Sequence, residues 1–103
     1  MSKEVPIRIC LIEDDARLRH LIARWLQHER EFSVVNQYAD AESAIEGMPK
    51  DHPDVALVDI NLPGQSGIDC VRQLKPQMAA TQFGMVTVYE DANKIFEALA
   101  AGA

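Results

Sequence analysis

Apolar positions along the chain switch between two rhythms. Ile7-Arg8-Ile9-Cys10-Leu11-Ile12 is a nearly continuous apolar run, the pattern of a strand covered on both faces. An acidic triplet follows at Glu13-Asp14-Asp15, and Asp14 or Asp15 is placed to cap a helix. Leu18, Leu21, Ile22, Trp25 and Leu26 then recur at helical spacing, which predicts an amphipathic helix to about Glu29. Phe32 to Gln37 reads as a second, more polar strand near an edge. Asp40 is a candidate cap for a short helix whose Ala41, Ala44, Ile45 and Met48 share a face, with Gly47, Met48 and Pro49 as its stop. Val55-Ala56-Leu57-Val58 reads as a third strand. Leu62-Pro63-Gly64-Gln65 fits a type II turn, Pro at the second position and Gly at the third. Ser66 with Asp69 resembles a capping box. The helix it opens turns Ile68, Val71 and Leu74 inward and breaks near Pro76. Phe83 to Tyr89 is a fourth strand, and Ala92, Ile95, Phe96 and Leu99 form a last helical face up to Gly102.

Strand and helix alternate throughout, which predicts an α/β fold: a doubly wound parallel sheet with helices on both faces. A length of 103 residues suits one domain. Apolar residues at 48% and charged residues at 25% are ordinary for a globular chain with one core. The net charge of −6 opposes binding to a phosphate backbone. The start MSKEVPIRIC has no apolar stretch of signal-peptide length, and no window has the length of a membrane span. Cytoplasmic localisation without membrane contact is the expectation. Cys10 and Cys70 fall in apolar patterns and read as buried free thiols. His20, His28 and His52 lack metal-ligand spacing and read as surface residues.

In such a sheet, ligands sit beyond the carboxyl ends of the strands, where the strand order reverses. Glu13 and Asp14 follow the first strand, Asp59 closes the third, and Thr87 lies near the end of the fourth. If the first and third strands are neighbours, three carboxylates crowd one pocket. Like charges so close raise each other's pKa or call for a cation, and a hard, partly hydrated ion such as Mg²⁺ answers that need. Taken singly, each has a plainer explanation. An aspartate at a strand end is commonly a turn residue, and an acidic triplet commonly opens a helix along its dipole. A cap explains the acids after the first strand, but not why the third strand ends in another acid.

The segments IEDD, LVDINLPGQSG and MVTVYED, in that order, strongly resemble the receiver domain of two-component response regulators. The resemblance runs from about Ile7 to the last residue. It implies a flavodoxin-like sheet of strand order 2-1-3-4(-5). It implies that Asp59 accepts a phosphoryl group from a sensor histidine kinase or a phosphotransfer protein. Glu13 and Asp14, with Asp59 and the backbone carbonyl of Asn61, would hold Mg²⁺. Thr87 would contact the phosphoryl group and move with it. By the same resemblance Asn61 and Tyr89 flank the path of the hydrolytic water, and a bulky Tyr89 would slow dephosphorylation. Val88 stands where the family often has a very small residue.

The resemblance also implies elements that these residues lack. The family has a fifth strand ending in a lysine and then a fifth helix, and the chain reaches Ala103 where that strand would begin. Lys75 and Lys94 lie on helical segments and are no substitutes. The expectation is a receiver domain over 1–103, C-terminally incomplete, with its fourth strand unpaired and any output domain outside it. The tail VYEDANKIFEALAAGA resembles receivers that precede a helix-turn-helix output domain. DNA would then be reached only through that domain, and self-dimerisation is a further expected contact. A dehalogenase-type phosphatase would need an acid at Asn61 to protonate the leaving group. A nucleotide-binding domain would need a glycine-rich phosphate loop that is absent. The serious rival is a receiver-like interaction module without a working phospho-switch.

Overall fold

The computed structural model describes residues 5–62, 64 and 66–86. Strand β1 spans Ile7–Ile12, helix α1 Ala16–Gln27, β2 Phe32–Tyr38, α2 Ala41–Asp51, β3 Val55–Asp59, α3 Gly67–Leu74 and β4 Gln82–Val86. All neighbouring strands are parallel, in the order β2-β1-β3-β4. The doubly wound, flavodoxin-like expectation therefore holds, with β2 at an edge. The last helical face, Ala92 to Leu99, and the fourth strand beyond Val86 lie outside the described residues.

The chain runs from β1 outward to β2, then back past β1 to β3 and on to β4. Right-handed crossovers put α1 on one face of this sheet and α2 and α3 on the other. The packing agrees. Cys10, Ile12, Tyr38, Ala56, Val58 and Phe83 of the sheet join Ala41, Ala44 and Met48 of α2 and Cys70, Val71 and Leu74 of α3 in one buried cluster. Ile9 and Leu11 point to the other side and are buried too. Both cysteines are free and buried, and burial pushes both thiols up to about 12, so neither is a reactive thiolate. The three histidines are exposed.

The face towards α1 is covered less than the sequence suggested. Ile7 is exposed, and Val55 and Leu57 of β3 are half-buried, so the two strands are not sealed on both sides along their whole length. The five apolar positions of α1 do not share one buried face. Leu18, Ile22 and Leu26 are half-buried on the side turned to β1 and β2. Leu21 and Trp25 are 64% and 74% exposed.

Helix starts follow the expected caps. Asp15 Oδ1 accepts from the N–H groups of Arg17 and Leu18 at 2.9 and 3.2 Å, so the cap of α1 is Asp15 and Asp14 is left for other work. Asp40 accepts from Ser43 N–H, and Ser66 from Asp69 N–H. Pro76 ends α3 by diverting it into a 3₁₀ turn, Lys75–Gln77.

The stop predicted at Gly47-Met48-Pro49 is wrong. Helix α2 runs through Pro49 to Asp51, and His52 in the left-handed region closes it. Tertiary contacts outweigh the lost proline hydrogen bond. The Asp51 carboxylate accepts from the Tyr38 hydroxyl, from Asn36 Nδ2 at 3.2 and 3.3 Å and from Cys10 Sγ at 3.5 Å. The Asp51 carbonyl accepts from the Arg8 guanidinium. A bulge makes this reach possible. Ile9 pairs with Val34 but Cys10 pairs with Asn36, which leaves Val35 as the extra residue and sets Asn36 and Tyr38 beside Cys10 and Ile12, towards α2. Gly47 serves the same contact rather than a helix stop, because a Cβ there would lie 2.7 Å from Tyr38 Oη. Asp51→Ala is expected to cost about 1–3 kcal/mol by leaving the buried Tyr38 hydroxyl without its acceptor. Gly47→Ala should fail to deliver the roughly 1 kcal/mol that alanine gains over glycine in a helix. Urea-unfolding midpoints check both.

Candidate functional site

Pairing of β1 with β3 sets Ile12 opposite Val58, so the next residues, Glu13 and Asp59, emerge side by side at the carboxyl edge. The reversal in strand order lies between these two strands, where α/β sheets bind ligands. Fully buried Ile12 and Val58 anchor the approach on both strands.

Glu13 is 5% exposed and held on three sides. Its N–H donates to the Tyr38 carbonyl at 3.0 Å, its carbonyl accepts from Arg19 Nη1 at 2.8 Å, and its Oε2 accepts from Asp15 N–H at 3.1 Å. Asp14 is exposed on the same loop. Asp59 is half-buried, pairs with Val86 of β4, and accepts the Asn61 N–H on Oδ1 at 3.0 Å. Gly64 has φ of 74°, as the type II turn requires of its third position; Pro63 and Gln65 lie outside the described residues. The Asp59 carboxylate faces the acid pair.

One carboxylate oxygen from each of Glu13, Asp14 and Asp59 lies within 4.8 Å of the other two. An octahedral Mg²⁺ with oxygens at about 2.0–2.1 Å spans roughly 4.2 Å between opposite ligands. An all-oxygen, acid-rich donor set of this size fits a hard divalent ion after a small closure. Burial raises the Glu13 carboxyl from 4.5 to about 7; the Asp15 N–H opposes the shift, and the neighbouring Asp59 and Asp14 carboxyls add to it.

The sequence-predicted acids thus converge as expected, with Asn61 beside them. Thr87, Val88 and Tyr89 lie outside the described residues, as does Lys94. Lys75 is at the opposite end of β4 from Asp59, with Nζ donating to the Thr81 carbonyl and lying 5.6 Å from the Phe83 ring centre. Sequence reasoning missed Arg19. No periodicity marks it, since its role depends on the loop turning back over the first turns of α1.

A response regulator receiver domain model matches residues 9–103. The chain belongs to the response regulator receiver family. It is 33% identical over 100 residues to the transcriptional regulatory protein DegU of Brevibacillus brevis, covering 97% of this chain and 42% of that protein. It is 34% identical over 97 residues to the two-component response regulator PhoP of Pseudomonas aeruginosa, covering 94% and 42%. The chain therefore spans less than half the length of these two curated relatives. Among solved structures it superposes on a LuxR-family response regulator of Aurantimonas at a TM-score of 0.90, with 27% identity, covering 96% of this chain and 71% of that one. The response regulator domain of Thermotoga maritima CheB matches at 0.88 with 29% identity, covering 96% and 75%. The same receiver unit thus occurs in transcription regulators and in protein-glutamate methylesterases. Among the described residues no helix is long and apolar enough to cross a membrane.

The raised Glu13 carboxyl gives this receiver a pH signature. The folded form keeps its proton up to about 7, whereas the unfolded chain releases it near 4.5. Between those values the folded state holds more protons, so this group's contribution to stability falls as pH rises and levels off above about 7. In metal-free protein, the stability difference between wild type and Glu13→Gln should shift against wild type across that window, as read from thermal midpoints. Mg²⁺ affinity should rise over the same window as the carboxyl ionises. A wild-type-minus-variant difference that is flat with pH would contradict both statements.

Proposed function

We propose that this receiver is a phospho-acceptor and that Asp59 is the residue that takes the phosphoryl group. The observation that carries the reading is the convergence of Glu13, Asp14 and a half-exposed Asp59 at the strand-order reversal. The donor is a phosphohistidine on a sensor histidine kinase or a phosphotransfer protein. An Asp59 oxygen forms the new O–P bond, the P–N bond breaks, and the imidazole leaves with its electron pair and takes up a proton. Phosphoryl transfer asks for position and charge neutralisation more than for acid–base help. Glu13, Asp14, Asp59 and the backbone carbonyl of Asn61 would hold Mg²⁺, whose role is to offset the negative charge gathered on the phosphoryl oxygens and the carboxylates. The Asn61 N–H steadies Oδ1 and so limits the rotation of the attacking group. Arg19 and the Tyr38 carbonyl fix the backbone of Glu13 on the other side of the pocket.

Thr87 is the proposed hydroxyl contact of the phosphoryl group. A phosphate on a side chain adds roughly −1.5 to −2 charge, and drawing Thr87 towards it biases a two-state surface around the fourth helix. Kinship with DegU and PhoP supports transcription control as the output, exerted on DNA through a separate output domain, with self-dimerisation as an intermediate step. The residues act in the cytoplasm, and the only catalysis assigned to them is their own phosphorylation and slow dephosphorylation. The second reading is an interaction module without a phospho-switch, built on the same receiver fold.

Incubation with acetyl phosphate and Mg²⁺ distinguishes the two. Intact-mass measurement should show a gain of one phosphoryl group that Asp59→Asn and removal of Mg²⁺ abolish. No gain on the wild type would leave the interaction module standing. Val88 and Tyr89 are assigned to modulation of hydrolysis. Tyr89→Ala should shorten the lifetime of the acyl phosphate severalfold by opening a path for water, and an unchanged lifetime would remove Tyr89 from that role.

A further inference from the structure

Gly67 opens α3, eight positions after Asp59 in the sequence, and a turn and a helix cap account for its place there. Its surroundings ask for more. A Cβ built on Gly67 would lie 1.9 Å from the Asp59 carbonyl oxygen, 2.8 Å from the Asp59 carbonyl carbon and 3.1 Å from Ile60 Cα. Ordinary carbon–oxygen contacts of this kind measure about 3.3–3.6 Å. All three atoms are backbone, so no side chain can rotate away to make room. Gly67 also donates its N–H to the Ile60 carbonyl at 3.1 Å, and it is buried. The first turn of α3 is therefore seated directly on the peptide that carries Asp59.

We propose that Gly67 is a positioning residue for the acidic site: the closeness of α3 to the Asp59 peptide, which only glycine permits, sets the depth at which the Asp59 carboxylate meets Glu13 and Asp14. The inference rests on the assignment of Asp59 as the reacting carboxylate. The neighbouring strands offer the peptide little freedom to compensate. Asp59 is paired with Val86, and Ile60 N–H donates to the Val86 carbonyl at 3.2 Å. A methyl group at position 67 must push either α3 off the sheet or the Asp59 carbonyl out of line by more than an ångström. Ser66 provides the natural comparison. Its hydroxyl caps the same helix, so its removal weakens α3 without adding any atom against Asp59.

The test compares Gly67→Ala and Ser66→Ala in the full-length protein. Mg²⁺ affinity is read by calorimetry and the Asn61 amide by NMR, because that N–H reports the Asp59 carboxylate directly. A misplacement of about 1 Å can cost on the order of 100-fold in rate. Gly67→Ala should weaken Mg²⁺ binding at least about tenfold, move the Asn61 amide resonance and slow phosphoryl gain from acetyl phosphate about 100-fold. Ser66→Ala should keep Mg²⁺ affinity and the Asn61 resonance near wild type while lowering the thermal midpoint. A folded Gly67→Ala protein with wild-type Mg²⁺ affinity and an unmoved Asn61 amide overturns the proposal. So does equal loss of affinity in both variants, which would mark a general effect of α3 stability. Should Gly67→Ala not fold, Mg²⁺ titration of the wild type decides. The Gly67 amide must then shift together with Asn61, while Cys70 and Val71 one turn further along stay still, and an unmoved Gly67 overturns the idea. Lack of phosphoryl gain on the wild type would instead count against Asp59 as acceptor, and the Mg²⁺ and NMR results would still judge Gly67.

Discussion

The side-by-side pairing of β1 and β3 is the constraint from which the rest follows. It delivers Glu13 and Asp59 to one edge of the sheet, and the buried residues just before them, Ile12 and Val58, prevent the strands from drifting apart to relieve the repulsion. Like charges held this close must be met by a proton or by a cation. Without metal, the proton goes to the most buried of the three, Glu13. A divalent ion provides the other solution and frees all three groups to act as anions. The fold thus stores an electrostatic demand at its rim, and a doubly charged phosphoryl group changes the terms of that demand more than any neutral ligand could.

The two faces of the sheet are unequal, and the polar network explains how the tighter one reaches the site. On the α2 side, Asp51 gathers Tyr38, Asn36 and Cys10, and Arg8 binds its carbonyl. Burial and the Asp51 carboxylate both raise the Tyr38 hydroxyl above its ordinary value, so the phenol stays a donor. The same Tyr38 uses its carbonyl to accept the Glu13 N–H. One residue therefore joins the floor of the sheet to its functional rim, and the bulge at Val35 is what aligns it for both tasks.

How much of this was legible in the residues depends on the range of the interaction concerned. The span of β1, the cap and course of α3, and the positive φ at Gly64 answer to local rules of period, capping and turn chemistry, and they were read correctly. The extra turn of α2 was not. Gly47 and Pro49 are local signals to stop, and only the contacts made by Asp51 and Tyr38 from other elements overrule them. The bulge in β2 leaves no mark in the apolar pattern. The exposure of Leu21 and Trp25 was hidden because periodicity gives the apolar stripe of α1 but not how far the sheet extends beneath it. The acids were legible as a set because three weak signals fall at equivalent strand ends. Their meeting still depended on strand order, which no local pattern encodes.

If Asp59 is the reacting carboxylate, as proposed, Asn61 bears on what kind of aspartyl chemistry the site supports. A phosphatase of the dehalogenase type needs a carboxylic acid two residues after the nucleophile, close enough to give a proton to the leaving oxygen. Here that position holds an amide, which has no proton to give at ordinary pH, and its backbone N–H is committed to Asp59 Oδ1. The contact orients the carboxylate without competing for its role. A site built this way depends on a donor whose leaving group departs without help from an acid on this chain. Phosphohistidine is such a donor, since its imidazole leaves readily, whereas an alkyl phosphate ester is not. On the proposed reading of Asp59 as phospho-acceptor, the side chain at Asn61 therefore argues against hydrolysis of stable esters and for a phosphoryl group that arrives already activated.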